Sequence, residues 1–191
     1  MGAGGWSDRG YAASRIGAVL AAALLVVAAG CAQMEDGAAP TCVPKGADTL
    51  ALIAQSVPTA TKVPCISSYP AGWHFASMSI ERGRSEFTLD SDRAGISGVK
   101  VSLVRTCDVG GATEISSDEP GTRRFERIIS VVNDFKAARS SLFEGGCITY
   151  RFDFDRQGRA LVNEVSVAIG FIDRAAVDAL VRQRSSGELR L

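Results

Sequence analysis

The sequence has few of the residues that metal sites and hydrolytic active sites need. It contains one histidine, His74, and no Cys-x-x-Cys pair, so the common arrangements of zinc ligands are missing. It also lacks a Gly-x-Ser-x-Gly segment, which marks the nucleophile of many hydrolases. His74 stands between two aromatic residues in a predicted strand, where a packed histidine is more common than a catalytic base. We therefore predict no metal, no cofactor and no catalytic residue.

An excess of one charge is missing as well. The chain has 21 basic and 21 acidic side chains, which gives a formal net charge of +0 at pH 7. Proteins that bind nucleic acids through their phosphates need a clustered excess of lysine and arginine. Aromatic residues make up only 7% of the chain, which gives little support to a lipid carrier with a large apolar cavity. The composition therefore argues against nucleic acid as a partner.

The N-terminus carries the most informative pattern. Arg9 and Arg15 precede an uncharged apolar run over residues 16–30, which ends with the sequence Ala-Ala-Gly-Cys at residues 28–31. A basic segment, an apolar segment and small residues at a cleavage site are typical of an export signal. The last four residues resemble the lipobox of bacterial lipoproteins, whose signal is cut before the cysteine after diacylglycerol is attached to its sulfur.

The resemblance implies a domain organisation and a location. Residues 1–30 are expected to be a lipoprotein signal peptide, Cys31 the site of lipid attachment, residues 31–41 a flexible tether and residues 42–191 a single disulfide-stabilised domain. The lipid would anchor the protein to the cell membrane on its extracytoplasmic face. An uncleaved signal anchor is the alternative, because residues 16–34 contain no charged residue and a membrane-spanning helix needs about 20 apolar residues. Both alternatives export the same domain.

Four cysteines remain once the lipid-bearing one is set aside. They are Cys42, Cys65, Cys107 and Cys147. An even number of cysteines in an exported chain indicates disulfides, and four cysteines allow three connectivities. We favour Cys42–Cys65 and Cys107–Cys147, each worth about 3–4 kcal/mol on the chain-entropy model. Strand alternation places Cys107 and Cys147 on opposite faces, so the second pair requires the chain to leave the strand near one of them.

The apolar pattern of the mature chain predicts an antiparallel sheet with a helix at each end. A first helix is predicted over residues 48–57, and a last helix over residues 174–184 after Asp173 as its N-cap. Strands are predicted over residues 73–80, 86–89, 98–106, 123–132 and 147–154. The strand at 123–132 also fits a helical stripe, but its β-branched run favours a strand. The predicted fold class is α+β, an antiparallel β-sheet flanked by an N-terminal and a C-terminal helix.

A β-hairpin is predicted near the C-terminus. Residues 147–154 alternate apolar and polar side chains, residues 161–171 are predicted to repeat the pattern, and a four-residue turn at 155–158 would join them. The turn includes part of a calcium-loop spacing, Asp153-x-Asp155-x-Gln157-Gly158, with Glu164 at position twelve. Position nine is apolar and the predicted flanks are strands, so we interpret this spacing as a plain turn.

One cluster of side chains is a candidate for recognising anions. Arg123, Arg124 and Arg127 lie close together in sequence and could contact a carboxylate, a phosphate or an anionic lipid head group, although Glu126 and the preceding acids offset their charge. We predict a non-catalytic binding or interaction module of the cell envelope, whose partners are the membrane through its lipid and an envelope protein or anionic ligand.

An enzyme is the alternative from a different class. The dispersed carboxylates of the chain are Asp90, Asp92, Asp118 and Glu119, and two of them brought together in a cleft would favour an envelope hydrolase. A shallow surface would instead favour the binding module.

Overall fold

The computed structural model of the chain describes residues 1–2, 38–42, 46–155 and 158–191. The predicted signal peptide beyond its first two residues, the lipid site Cys31 and residues 31–37 of the predicted tether lie outside the described residues, as do residues 156 and 157 of the predicted turn. The structure described below is that of the domain formed by the described residues from 38 to 191.

The described part of this domain contains three helices and nine strands. The helices are α1 (Ala47–Ser56), α2 (Arg159–Ala168) and α3 (Arg174–Arg184). The strands are β1 (Lys62–Ile66), β2 (Trp73–Glu81), β3 (Arg84–Ser91), β4 (Gly95–Val104), β5 (Thr113–Ile115), β6 (Arg123–Ser130), β7 (Phe135–Phe143), β8 (Gly146–Phe154) and β9 (Ile169–Asp173). The domain is therefore of the α+β class, with a helix near each end of its described part, as the sequence predicted.

A seven-stranded antiparallel sheet organises the domain. Its strand order is β2-β3-β4-β8-β7-β6-β5, so β8 and β4 lie side by side near its centre although they are distant in sequence. Strands β1 and β9 form a separate antiparallel pair that brings the two ends of the domain together. The strand prediction at 123–132 is confirmed in β6, where the β-branched run outweighs the helical stripe.

Strict alternation gives the large sheet an apolar and a polar face. Val99 and Val101 of β4 lie opposite Phe152 and Tyr150 of β8, and all four side chains are buried. This core face packs against the helices and the β1–β9 pair. The other face, here called the open face, carries the alternate residues, such as the Lys100–Arg151 pair of the same two strands. Polar side chains on this face are free to contact solvent or a ligand.

Helix α1 forms where the sequence predicted it. Leu50 and Ile53 recur at helical spacing and are fully buried in the core. The sequence suggests Asp48 as the N-cap of this helix, but the N-cap is Gly46, and Asp48 lies in the first turn. Helix α3 likewise begins after Asp173 and ends at Ser185, as predicted, although Asp173 makes no side-chain capping hydrogen bond.

The predicted hairpin between residues 147–154 and 161–171 is wrong. Residues 159–168 form helix α2, because Val162 and Val165 are buried at a spacing of three while Val167 is exposed. The strand that forms a hairpin with β8 is β7, through a tight turn at Glu144 and Gly145. Only the last part of the predicted strand at residues 161–171 is extended. It belongs to β9, which pairs with β1 and not with β8.

The cysteines lie in the two pairs that the sequence favoured. Cys42 faces Cys65 with their Cα atoms 4.9 Å apart, and Cys107 faces Cys147 at 5.9 Å. Strand β4 ends at Val104, so Cys107 lies in the following loop and is no longer bound by strand alternation. The loop crosses to the open face, which is the face that Cys147 occupies, and this removes the objection to the second pair.

The described end of the predicted tether is part of the domain. The backbone carbonyl of Pro40 accepts a hydrogen bond from Ile66 N at 2.7 Å, and Cys42 N donates to Ile66 O at 2.9 Å. Thr49 Oγ1 also donates to Ala38 O at 3.0 Å. Residues 38–42 thus belong to the domain, although the sequence assigned residues up to 41 to the tether.

Candidate functional site

A groove of about 500 Å³ lies on the open face of the seven-stranded sheet. Its charged lining residues are Arg84, Asp108, Arg127, Lys136, Arg151 and Asp153. Strands β8, β7 and β6 supply Arg151, Lys136 and Arg127, which are brought to the same face by alternation. We call this feature the open-face groove.

One wall of the groove is the loop of residues 105–112. The Cys107–Cys147 pair fastens it to β8, and Thr149 Oγ1 hydrogen-bonds to Cys107 Sγ at 3.3 Å. Farther along, Arg127 Nη1 donates to the backbone carbonyl of Gly110 at 3.0 Å. The disulfide pair therefore shapes the groove as well as crosslinking the chain.

Some charged side chains of the groove form salt bridges with described residues and others do not. Lys136 Nζ lies 3.1 Å from Asp134 and 3.3 Å from Asp153, and its hydrogen bonds to these carboxylates raise the pKa of Lys136. Arg127 and Arg151 make no salt bridge within the described part of the chain. Both side chains are exposed, so their guanidinium groups are available to an oxyanion that enters the groove.

The structure separates the three arginines that the sequence grouped. Arg123 and Arg127 lie on the open face, whereas Arg124 points to the core face, because neighbouring residues of β6 alternate. Arg123 is already engaged by Glu114, with hydrogen bonds from Nε at 3.0 Å and from Nη2 at 2.8 Å. Of the three residues, only Arg127 lines the open-face groove.

A second cavity, of about 450 Å³, lies on the core-face side of the sheet. It is bounded by α2, β9, the ends of β6 and β7, and the turn that contains Asp118 and Glu119. Tyr150 lines it and stacks on Phe171, with ring centroids 6.2 Å apart. Arg124 and Arg139 also line it. We call this feature the Tyr150 cavity.

The dispersed carboxylates do not form one cluster, although Asp118 and Glu119 both line the Tyr150 cavity. Asp90 belongs to β3, near one edge of the seven-stranded sheet, whereas Asp118 and Glu119 precede β6, near the other edge. His74 is exposed, and its Nε2 lies 3.8 Å from Asp90 Oδ2. Asp90 in turn accepts a hydrogen bond from Ser97 N at 2.7 Å. His74 and Asp90 thus lie near each other on β2 and β3, while Asp118 and Glu119 stand side by side at the Tyr150 cavity.

The residues of the calcium-like spacing have other contacts. Glu164 lies on α2, where it accepts a hydrogen bond from Trp73 Nε1 at 3.0 Å and a short one from Arg93. Across the described ranges, no group of three or more potential ligands is arranged to hold a metal ion. We interpreted this spacing as a turn because a hairpin was predicted between residues 147–154 and 161–171. That hairpin does not form.

Sequence reasoning missed several residues of the two sites. Arg139 and Ser166 were not singled out, because β7 was not predicted and α2 was predicted as a strand. Arg151 could have been found, since the alternation of β8 places it on the face opposite Phe152.

Comparison with models of known protein families, with curated proteins and with solved structures gives no match to this chain. Of the helices that the structure describes, none has the length and hydropathy needed to cross a bilayer. The functional conclusion therefore depends on the N-terminal motif and on the two sites.

Proposed function

We propose that this protein is a lipid-anchored domain of the bacterial cell envelope that binds an envelope component at the extracytoplasmic face and performs no catalysis. The observation that carries the proposal is the Ala-Ala-Gly-Cys sequence at residues 28–31 after a basic and an apolar segment. Attached acyl chains at Cys31 would hold the domain at the membrane, since two or more chains anchor a protein stably.

The cysteine pairs support an extracytoplasmic location. Disulfides persist in oxidising compartments and are rare where thiols are kept reduced. All four cysteines of the domain lie in pairs whose Cα separations, 4.9 and 5.9 Å, fall within the range of disulfides. A chain with this arrangement is suited to folding after export.

The open-face groove supports a binding role directed at anionic groups. Arg127 and Arg151 face it without a carboxylate partner among the described residues, and hydroxyl groups such as that of Thr149 lie beside them. Guanidinium groups bind carboxylates and phosphates through paired hydrogen bonds. We propose that an anionic group of an envelope protein or envelope polymer contacts the groove.

Detergent phase partition of wild-type protein and a Cys31→Ser variant tests the anchor. A lipoprotein moves to the detergent phase, and Cys31→Ser moves to the aqueous phase or remains as an uncleaved precursor of higher mass. If both proteins enter the detergent phase with the same uncut mass, residues 16–34 act as a signal anchor and the lipid proposal is wrong.

Salt elution from immobilised heparin, used as an anionic probe, tests the groove. We expect a double variant, Arg127→Gln with Arg151→Gln, to elute at clearly lower salt than wild type, because two phosphate- or sulfate-binding side chains are lost. The matched control, Arg123→Gln with Arg190→Gln, removes the same charge elsewhere and should shift elution much less. Equal shifts for the two double variants would show that only net charge matters.

A further inference from the structure

We propose that the Tyr150 cavity is a binding site for a small organic carboxylate, whose oxygens accept hydrogen bonds from Arg124, Arg139 and Tyr150. The cavity lies on the other side of the sheet from the open-face groove, so this site is independent of the anion contact proposed there. Its volume, about 450 Å³, lies within the range of small-molecule pockets.

The Arg139 side chain presents an unused donor at this site. Its side chain is only 12% exposed, with Nη1 donating to Ser166 Oγ and Nη2 to Glu126 Oε1, each at 2.8 Å. Its Nε is buried and has no hydrogen-bond acceptor. A buried N–H of a charged group without a partner is costly. Because Nε has almost no accessible surface, the Arg139 side chain has to turn before a ligand oxygen can accept from it and recover that cost.

Tyr150 supplies a second polar group beside the guanidinium groups. The residue is only 4% exposed, and it lines the cavity. Burial raises the pKa of Tyr150 above its ordinary value, so the phenol keeps its proton and can donate it to an acceptor. Such a buried hydroxyl at the wall of a cavity favours a ligand with an oxygen acceptor.

The acids near the cavity do not exclude an anion. Glu119 Oε1 is held by Lys62 Nζ at 2.6 Å, which neutralises its charge. Asp118 Oδ2 lies 3.5 Å from Arg124 Nη1, and the Asp118 side chain is 96% exposed. An exposed carboxylate at that distance contributes little, so a ligand carboxylate can take its place on Arg124.

The remaining lining selects an organic ligand over a bare inorganic anion. Ile169 and Phe171 of β9 and Val167 of α2 form an apolar wall facing the polar groups. A carboxylate with an apolar body fills both parts of the cavity, because burial of the body adds hydrophobic free energy to the hydrogen bonds of the head.

Titrations of the purified full-length protein, followed by saturation-transfer NMR, test the site with phenylacetate as the probe. We expect saturable binding of phenylacetate, with phenylacetamide and inorganic phosphate each at least about tenfold weaker, since one lacks the charge and the other the apolar body. Arg124→Gln should weaken phenylacetate binding about tenfold, and Tyr150→Phe should weaken it severalfold.

Two further variants make the test specific. Arg123→Gln removes the neighbouring charge on the open face and should leave the dissociation constant unchanged. Asp118→Asn removes the competing carboxylate and should tighten binding. Absence of saturable phenylacetate binding, equal binding of phenylacetamide, or equal losses in Arg123→Gln and Arg124→Gln would each overturn the proposal, whatever the result of the heparin experiment.

Discussion

Gly145 occupies a backbone position that no other residue can take without displacing its neighbours. It lies in the tight turn between β7 and β8 with φ at +72°, and an added Cβ would come within 1.7 Å of Thr59 O. The same turn accepts a hydrogen bond from Thr59 Oγ1 at 2.6 Å. Together with the hydrogen bonds from Thr61 N and Oγ1 to Glu144 O, this contact fixes the turn of the β7–β8 hairpin against the chain that follows α1.

Gly145→Ala is expected to reduce the free energy of unfolding by about 2 kcal/mol or more, because it adds both backbone strain and a collision with Thr59. Gly83→Ala is the matched control, since Gly83 has φ at +86° but nothing within 4 Å of the added Cβ. Gly83→Ala should reduce the free energy of unfolding by about 1 kcal/mol, from backbone strain alone. Urea unfolding measures both variants, and similar losses would argue against the collision.

Tyr150 makes stability depend on pH in the alkaline range. Burial raises its pKa in the folded protein, while the unfolded chain ionises near pH 10. The contribution of Tyr150 to the free energy of unfolding is fully present below pH 10. It is lost as pH rises further, because the unfolded chain then releases a proton that the folded protein retains. The free energy of unfolding should therefore fall above pH 10 by up to about 1.4 kcal/mol per pH unit.

Urea unfolding at pH 9 and pH 11 separates this residue from other groups. Tyr69 and Lys62 also have raised pKa values and act in the same direction, but they are present in both wild type and Tyr150→Phe and cancel in the comparison. We expect Tyr150→Phe to lose less stability between the two pH values than wild type. Equal losses would contradict the assignment.

Among the elements, α2 shows where sequence reasoning reached its limit. Leu161, Val165 and Val167 look like strand alternation only if Asn163 is passed over, and a short apolar segment fits both periods. The buried positions Val162 and Val165 are the helical pattern. Tertiary packing against the core face, which the sequence alone does not display, decides between the two.

Substitution of Val165 and of Val167 distinguishes the helical spacing of α2 from the alternation of a strand. Val165→Ala should lower the free energy of unfolding by about 2 kcal/mol, because Val165 is 0% exposed, whereas Val167→Ala, at 82% exposure, should change it by less than about 0.5 kcal/mol. A strand would place both side chains on one face and give similar losses. Thermal or urea unfolding of the two variants provides the measurement.

Other elements show what the sequence could and could not predict. Strands β4 and β8 were found because Val99, Val101 and Phe152 belong to long, clear alternations. Strand β7 was missed because its centre is alanine and serine, for example Ala138 and Ser140, whose small side chains give no apolar period. The sequence therefore predicted the α+β class, while the pairing of β7 with β8, and with it the Tyr150 cavity, required the structure.

At the scale of the whole molecule, the central claim is that Cys31 carries lipid while the other cysteines pair. The β1–β9 pair and the Cys42–Cys65 pair, which share β1, hold the first and last described segments of the domain together. The open-face groove and the Tyr150 cavity would then be presented at the membrane surface by a short tether.

The measurement that tests this claim most directly is the intact mass of the protein recovered from membranes. The account predicts the mass of residues 31–191 plus acyl chains, less two hydrogen atoms for each of the two disulfides. A Cys31→Ala variant should carry no acyl mass. An uncut chain of 191 residues, or a cut chain without acyl groups, would contradict the account.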